Sequence, residues 1–413
     1  MCLTEVIGLD PLEVMLNLKQ VIPYYQPVIS ADTQLIVGYE VLPLFKEENG
    51  NLKKLDWFFD DGSIPGDFHF ELNNDVQQKA LHTFMESDQS MNLTFYYNAR
   101  LLMKDDGESL LTLLQSSAQK GLDLHKIIIE IKEASITEQS NDLRKLIKYM
   151  KTLGIRIAID VEQRNASLER LVQLEPNIVK VDAGFLDDDL LPQLYGDVHH
   201  SLSMLSRKIG AALLFKGITT YSQLNYAWRH GGHYYQGSYL KQPQSNFVEA
   251  DCSQEKIKTD FQRFVLFERK KMKAQLELTN WINEQFKMML PSVKSDDAYD
   301  DIILKIGEAC TNFAFRIYIC NEEGIQLSSN AEKNAIGEWE LHYEGRNKNW
   351  SWRPYFFENV MRMNVEKKGL LSDLYTDIER DERIRTYSFP ISETLYVFLD
   401  IPYAYLYEQE GLL

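Results

Sequence analysis

Short apolar runs alternate with helical segments between about residues 20 and 245 of the chain. The apolar runs are IVGYEVL, LTFYYNA, KIIIEI, IRIAID, IVKVD and ALLFKG, and the segments between them include DLRKLIKYMKTLG and SLSMLSRKIG. Apolar strands that alternate with helices are typical of a parallel sheet covered by helices on both sides. About seven repeats in roughly 230 residues favour a closed barrel over an open sheet. The predicted fold class is therefore α/β, with a closed barrel.

A different pattern extends from Ser253 to Leu290, where neither Pro nor Gly occurs. Apolar residues recur there at spacings of roughly three and four, which predicts one long helix ending at Pro291. At about 1.5 Å per residue, this helix is longer than a globular domain usually needs. We expect it to connect two domains and to pair with a second copy of the chain.

The remaining residues predict a small α+β domain. The segment DIILKIGEACTN indicates a helix, and FRIYICNEEGIQLSSN indicates a hairpin whose polar turn ends in glycine. Two further strands are predicted from TYSFPIS and TLYVFLDIP. The predicted domains are thus a barrel over 1–250, a linker helix over 251–291 and an α+β domain over 292–413.

Composition and charge narrow the classes of partner. The 413 residues carry a formal net charge of −17, which disfavours nonspecific attraction to DNA, RNA or an anionic membrane. The four cysteines lie far apart without a CxxC pair, so neither a disulfide framework nor a thiolate zinc site is indicated. No run of 18 apolar residues and no signal-peptide pattern occurs. We therefore expect a cytoplasmic protein with reduced thiols and no membrane span.

Several predicted strands carry an oxygen-bearing side chain at or near their carboxyl ends. These residues are Glu40, Asn98, Glu130 and Asp160. One polar residue in an apolar strand is usually structural, but its repetition on four strands favours a shared site. Oxygen ligands without His or Cys select a hard cation such as Mg²⁺, Mn²⁺ or Ca²⁺. Lys180 and Asp182 are two residues apart on one strand, so a cation and an acid should face the same space.

An ordered series of motifs resembles the EAL-domain family. In chain order the motifs are YQP, VGYEVL, the strand end at Asn98, IEIKE, AID, VKVD and YQGSYL, and together they cover roughly residues 20–245. That family consists of barrel enzymes that hydrolyse cyclic di-GMP to its linear dinucleotide with two divalent metals. The resemblance implies a modified TIM-type (β/α)8 barrel, cyclic di-GMP as ligand, and Mg²⁺ or Mn²⁺ as cofactor, with Ca²⁺ as an inhibitory substitute.

The resemblance also implies a role for each matching residue. Glu40, Asn98, Glu130 and Asp160 would be metal ligands. Lys180 would lie near the attacking water and, with Glu40, would be catalytic if the chain is active. Glu133 would hold a loop. Asp182 would contact the metal ligands without binding the metal itself. The ligand-binding residues would be Gln26, Leu42, Lys216 and Gln236.

Three departures from the family pattern bear on activity. The family signature E-A-L-L-R ends in an arginine, whereas this chain has Leu44 there. Val161 takes the place of a second aspartate, and the loop that follows it is one residue shorter. Lys216 takes the place of a site carboxylate. Two-metal hydrolysis needs both cations, so losing ligands and adding a positive charge should impair it while leaving one metal bound.

Residues 292–413 resemble PAS/Cache-like sensor domains more loosely, through IYICNEEGIQLSS and RTYSFPI. Such domains commonly bind small ligands or dimerise, and a purely structural dimerisation domain is the alternative. For the whole chain three functions stay open. The first is metal-dependent cyclic di-GMP binding with weak or no hydrolysis, coupled to a C-terminal sensory or dimerisation domain. The others are an active phosphodiesterase and a scaffold that binds no nucleotide.

Overall fold

The computed structural model describes residues 9–136, 140–161, 167–184, 192–290, 298–353 and 356–409. The chain divides into two compact units, Met1–Arg263 and Phe264–Leu413, and the boundary falls inside a long helix. No helix in these described ranges combines the length and the apolarity that a membrane span requires.

The first unit is built on a closed barrel. Its strands are β1 Val21–Ser30, β2 Ile36–Lys46, β3 Leu52–Lys54, β4 Asn92–Tyr97, β5 Ile127–Lys132, β6 Arg156–Asp160, β7 Ile178–Asp182, β8 Ala212–Lys216 and β9 Tyr234–Tyr235. Strands β2 and β4 to β9 are parallel neighbours, and β1 closes the ring by pairing antiparallel with both β2 and β9. Strand β3 extends β2 outside the ring of eight. The predicted α/β barrel is therefore confirmed.

Helices alternate with the barrel strands along the chain. They are α1 Pro11–Leu16, α2 Asp56–Asp60, α3 Gly66–Met85, α4 Ala99–Leu102, α5 Glu108–Gln119, α6 Ser140–Thr152, α7 Leu168–Leu174, α8 Pro192–Ile209 and α9 Tyr221–Arg229. Helix α6 shows why the periodicity predicts them, because Leu143, Ile147 and Met150 are all buried. Gly154 then adopts a φ of 89° just after this helix, a conformation that favours glycine and stops the helix.

The antiparallel strand β1 is absent from the apolar runs that predict the barrel. Its sequence VIPYYQPVIS contains Pro23 and Pro27, and proline usually argues against a central strand because it lacks a backbone N–H. In the structure both prolines are accommodated opposite β2, where Pro23 faces Pro43 and Pro27 faces Tyr39. The barrel is thus modified by one reversed strand that local patterning does not reveal.

The long predicted helix forms as α10, Gln254–Met289. The last turns of α10 contribute to the core of the second unit, where Ile282 and Phe286 are fully buried. They pack there with Ile303, Ile317 and Val397. The C-terminal end of α10 is therefore an integral part of the second unit.

The second unit is an antiparallel sheet with helices. Its further elements are α11 Tyr299–Ala309, β10 Arg316–Asn321, β11 Asn330–Lys333, β12 Trp339–His342, α12 Phe356–Glu366, β13 Leu370–Leu371, β14 Tyr375–Thr376, β15 Arg383–Pro390, β16 Leu395–Pro402 and α13 Tyr403–Gln409. The strand order is β12-β11-β10-β16-β15-β13, and β14 pairs with β15. The predicted α+β class is confirmed for this unit, and its likeness to PAS/Cache domains stays a prediction.

The predicted hairpin after β10 forms only in part. The turn is present, with Gly324 at a φ of 85° and its N–H donating to the carbonyl of Asn321 at 3.0 Å. The regular returning strand, however, begins only at Asn330. A side-chain hydrogen bond takes the place of one backbone hydrogen bond between the strands. The Ile319 N–H donates to the Ser328 hydroxyl at 2.8 Å.

Candidate functional site

A cleft opens at the carboxyl ends of the barrel strands. Its walls come from strands β2, β4, β5, β6 and β8 and from helices α2 and α3. The charged residues that line it are Glu40, Asp56, Asp60, Glu130, Lys132, Asp160 and Lys216. Because parallel strands all end at the same edge of a barrel, carboxylates that are distant in sequence meet here.

Lys180 joins two of the predicted metal ligands. Its ammonium donates to Glu40 Oε2 at 2.6 Å and to Glu130 Oε2 at 2.6 Å, and only 2% of its side chain is exposed. Gln236, which follows β9, donates its side-chain N–H to the same oxygen of Glu40. A buried ammonium between two carboxylates satisfies groups that would otherwise repel each other.

Burial and charge shift the pKa values of this trio in different directions. Burial raises the pKa of Glu130 to about 7, and the nearby carboxylate of Glu40 adds to the rise. Burial also opposes ionisation of Glu40, but Lys180 and Gln236 outweigh it, so the pKa of Glu40 lies below its ordinary value. Burial tends to lower the pKa of Lys180, but both carboxylates together hold it above its ordinary value. Lys180 therefore stays charged.

Lys216 engages the third predicted carboxylate. Its ammonium lies 2.6 Å from Asp160 Oδ2, and 28% of its side chain is exposed. Burial tends to lower the pKa of Lys216, but the Asp160 carboxylate raises it above its ordinary value. The other oxygen of Asp160, Oδ1, is buried and accepts no hydrogen bond from the described residues. One carboxylate oxygen in the site is therefore available to a cation.

Helix α2 adds polar groups that the sequence analysis missed. Asp60 lines the cleft and accepts from the Lys132 ammonium at 2.7 Å and from the Tyr96 hydroxyl at 3.3 Å. Asp56 lines the same wall, and burial raises its pKa. Lys132 could have been found, because it lies two residues after Glu130 and so faces the same side of β5. The two aspartates lie outside the strands, so the alternation of side chains along a strand does not predict that they face the cleft.

Six predicted site residues lie outside the cleft lining, namely Lys180, Gln236 and Glu133 as well as Asn98, Asp182 and Gln26. Asn98 follows β4 and caps α4, since its Oδ1 accepts from the Arg100 N–H at 3.0 Å. Asp182 Oδ1 accepts from the Gly184 N–H at 2.7 Å. Gln26 faces Glu40 in the β1–β2 register, but it donates to the carbonyl of Lys241 at 3.0 Å. The roles assigned to these residues stay predictions.

Leu42, by contrast, lines the cleft directly beside Val41 and Pro43. The position two residues later, where the family carries arginine, is occupied by the fully buried Leu44. An uncharged side chain enclosed in the core cannot replace that guanidinium. The cleft therefore lacks a cation on this strand.

Glu133 holds a backbone segment beyond the site. Its side chain is buried, and Oε1 accepts from the Ser167 N–H at 2.8 Å, with Arg170 Nη1 at 3.4 Å. Ser167 is the first described residue after the segment 162–166, so the shortened loop itself lies outside the described residues. Val161 at its start is buried and offers no oxygen. The contacts of Glu133 support the predicted loop-holding role.

The donor set suits one hard cation better than two. Glu40, Glu130 and Asp160 supply carboxylate oxygens, and the unpartnered Oδ1 of Asp160 provides a starting contact. Within the described ranges, however, no three His, Cys, Asp or Glu side chains are grouped closely enough to hold a metal. The ammonium groups of Lys180 and Lys216 occupy the space between these carboxylates. A cation must therefore exchange with at least one ion pair.

Comparisons with known proteins agree with this geometry. Residues 10–243 match the model of the EAL domain, and residues 247–413 match that of an EAL-domain associated signalling protein domain. The chain is 41% identical over 408 residues to the EAL-domain containing protein YkuI of Bacillus subtilis, which covers 98% of this chain and 100% of that protein. The chain therefore belongs to the EAL-domain family.

Two further likenesses concern ligands and activity of relatives. The crystal structure of Bacillus subtilis YkuI in complex with c-di-GMP and calcium has a TM-score of 0.92 and 41% identity to this chain, covering 98% of it and 100% of that chain. The cyclic di-GMP phosphodiesterase PdeL of Escherichia coli is 21% identical over 227 residues, which are 54% of this chain and 61% of that protein.

Proposed function

We propose that this protein binds cyclic di-GMP together with one divalent metal ion, and that it hydrolyses the nucleotide weakly or not at all. The 2.6 Å contact between the Lys216 ammonium and Asp160 carries this proposal. It places a fixed positive charge where an active family member has a carboxylate. The YkuI complex with c-di-GMP and calcium supports the choice of ligand.

The residues that would hold the metal are Glu40, Asn98, Glu130 and Asp160. A bound Mg²⁺ or Mn²⁺ would supply a Lewis acid that polarises a phosphodiester oxygen, and Ca²⁺ would substitute without supporting turnover. Lys180 would keep Glu40 and Glu130 charge-compensated, and its protonated state prevents it from accepting a proton from water. Gln236 would orient Glu40 through their hydrogen bond.

Among the residues that the structure describes, the site lacks the ligands that a second metal ion would need. Val161 supplies no oxygen, and Lys216 repels a cation that approaches Asp160. Hydrolysis through two metals needs charge stabilisation on both the attacking and the leaving oxygen. Binding can therefore survive while turnover fails.

Titration with cyclic di-GMP in the presence of Mg²⁺, Mn²⁺ or Ca²⁺, followed by chromatography of the nucleotide, tests this proposal. We expect metal-dependent binding and recovery of intact cyclic di-GMP. Glu40→Ala should weaken that binding, because it removes an oxygen that no neighbour replaces. Rapid release of the linear dinucleotide would instead identify an active phosphodiesterase, which the retention of Glu40, Glu130 and Lys180 favours as the second candidate. Absence of binding would leave a scaffold role.

We also propose that the protein acts as a homodimer in the cytoplasm. Helix α10 exposes large apolar side chains, including Leu276 and Met288, and such a stripe usually needs a covering partner. The cysteines are far apart in the sequence, which suits a reducing compartment. The net charge of −17 favours solubility. The second unit would serve sensing or dimerisation, with a small ligand as a further candidate for its cavity beside Tyr318 and Phe398.

A further inference from the structure

The cleft offers few positively charged side chains to a nucleotide. Five carboxylates line the cleft, namely Glu40, Asp56, Asp60, Glu130 and Asp160. Three ammonium groups face them, those of Lys132, Lys180 and Lys216. A cyclic dinucleotide brings two more negative charges, one on each phosphodiester. A single metal ion can contact one of them, so the other needs a cation from the protein.

The ammonium groups of Lys180 and Lys216 are poorly suited to this task. Lys180 is 98% buried and already contacts two carboxylates. Lys216 is committed to Asp160, a predicted metal ligand. The family arginine is absent, since Leu44 is buried and uncharged at its position. Only Lys132 remains among the described cations that line or contact this cleft.

Lys132 has the position and the exposure that a ligand contact requires. It lies two residues beyond Glu130 on the same face of β5, about 6–7 Å further toward the opening. It is also the register partner of Asp160 on β6. Its side chain is 34% exposed, so the ammonium borders both the predicted metal ligands and the solvent.

The ion pair that Lys132 makes in this structure is easily exchanged. Asp60 Oδ2 lies 2.7 Å from the ammonium, but the Asp60 side chain is 46% exposed. Ion pairs this open to solvent contribute little net stability. If Lys132 leaves, Asp60 keeps the hydrogen bond from the Tyr96 hydroxyl at 3.3 Å and can be hydrated. A phosphate oxygen can therefore replace Asp60 at small cost.

We propose that Lys132 binds a phosphodiester oxygen of the nucleotide, and that Asp60 competes with the nucleotide for this ammonium. This inference rests on the proposed function, because it takes cyclic di-GMP as the ligand of the cleft. In this arrangement Asp60 lowers the affinity for the nucleotide, and Lys132 raises it. The two members of one ion pair should therefore have opposite effects on binding.

Calorimetric titration of cyclic di-GMP in Ca²⁺ tests the inference on the full-length protein. We expect Lys132→Met to bind about tenfold more weakly, because a charge-assisted hydrogen bond is lost, and to lose part of its sensitivity to added NaCl. We expect Asp60→Asn to bind more tightly than the unmodified protein. The double variant should bind no more tightly than Lys132→Met, because the competing group has lost its partner.

Two control variants separate this effect from general changes in charge. Lys126→Met removes an ammonium at the opposite end of β5, where it contacts the carbonyl of Ser90 at 3.3 Å. Asp67→Asn changes an aspartate that is 95% exposed and lies outside the cleft lining. Both should leave affinity unchanged. Thermal unfolding of each variant checks that the barrel is intact.

Each possible result decides the inference. Weaker binding in Asp60→Asn would show that Asp60 itself contacts the nucleotide, and would overturn the competition. Unchanged affinity in Lys132→Met, with normal binding by the unmodified protein, would show that Lys132 is only structural. Failure of the unmodified protein to bind cyclic di-GMP would overturn the proposed function itself, a result distinct from either of these.

Discussion

Replacing Lys216 with methionine should reveal how far this lysine stands in for a metal ion. The substitution keeps the apolar stem of the side chain but removes the ammonium that lies 2.6 Å from Asp160. The Asp160 carboxylate, 10% of whose side chain is exposed, is then buried with neither oxygen paired to a cation. We expect the metal-free barrel to become less stable and the metal-bound barrel to recover.

The size of the loss follows from the burial of the pair. Removing one partner of a buried ion pair costs about 3–5 kcal/mol. Because 28% of the Lys216 side chain is exposed, solvent screens the pair and the lower end, about 3 kcal/mol, applies. For a unit of this size each kcal/mol shifts the melting temperature by about 2–4 °C, so a fall of roughly 6–12 °C is expected. A cation at 100 times its dissociation constant should restore about 2.7 kcal/mol.

Thermal unfolding with EDTA and with millimolar Mn²⁺ measures both effects, and the transition of the barrel unit must be followed because the chain has two units. Lys208→Met, an exposed position near the end of α8, serves as the matched control and should change little. A Lys216→Met protein that melts at the same temperature with and without Mn²⁺ would refute the argument that Lys216 and a cation compete for Asp160.

Three further outcomes are expected. The double reversion Val161→Asp with Lys216→Glu should gain at least partial hydrolysis of cyclic di-GMP, measured by chromatography; no gain would show that the loop after Val161 limits turnover. Phe286→Ala should destabilise the second unit by about 3–5 kcal/mol in urea unfolding, because Phe286 is fully buried, whereas Met288→Ala, which is 73% exposed, should change it little. Light scattering should give twice the chain mass of 48.1 kDa at micromolar concentration, and a single-chain mass would contradict the dimer.

Much of the fold is predictable from local pattern because most residues of strands β4 to β8 are buried. Runs such as KIIIEI and IRIAID are therefore mainly apolar, and the glycine after α6 marks a helix end. Pattern fails where pairing between distant residues decides the structure. Strand β1 contains two prolines and is held by its partners β2 and β9. The late start of β11 depends on the hydroxyl of Ser328, which takes over one backbone bond.

The candidate site is predictable to the extent that its residues end strands. Glu40, Glu130, Asp160 and Lys180 follow from their places in the predicted strands, Lys216 follows from the family resemblance, and the structure brings all five together. Sequence alone cannot show which ammonium meets which carboxylate, because that depends on the barrel register and on side-chain direction. The aspartates of α2 are missed for a related reason. They reach the cleft from a short helix outside the repeat, so only the folded chain brings them close.

The ion pairs also constrain how metal and nucleotide affect each other. In the absence of ligand, the ammonium groups of Lys180 and Lys216 pair with three carboxylates that metal ions would otherwise contact. A cation that enters at Oδ1 of Asp160 therefore adds positive charge beside the Lys216 ammonium, which holds the other oxygen. A nucleotide phosphate bound to that cation offsets the added charge, so the nucleotide should strengthen metal binding. Because coupling between two bound ligands is reciprocal, the metal must strengthen nucleotide binding by the same factor. Lys216, which we propose to impair hydrolysis, would thus make the two binding events depend on each other.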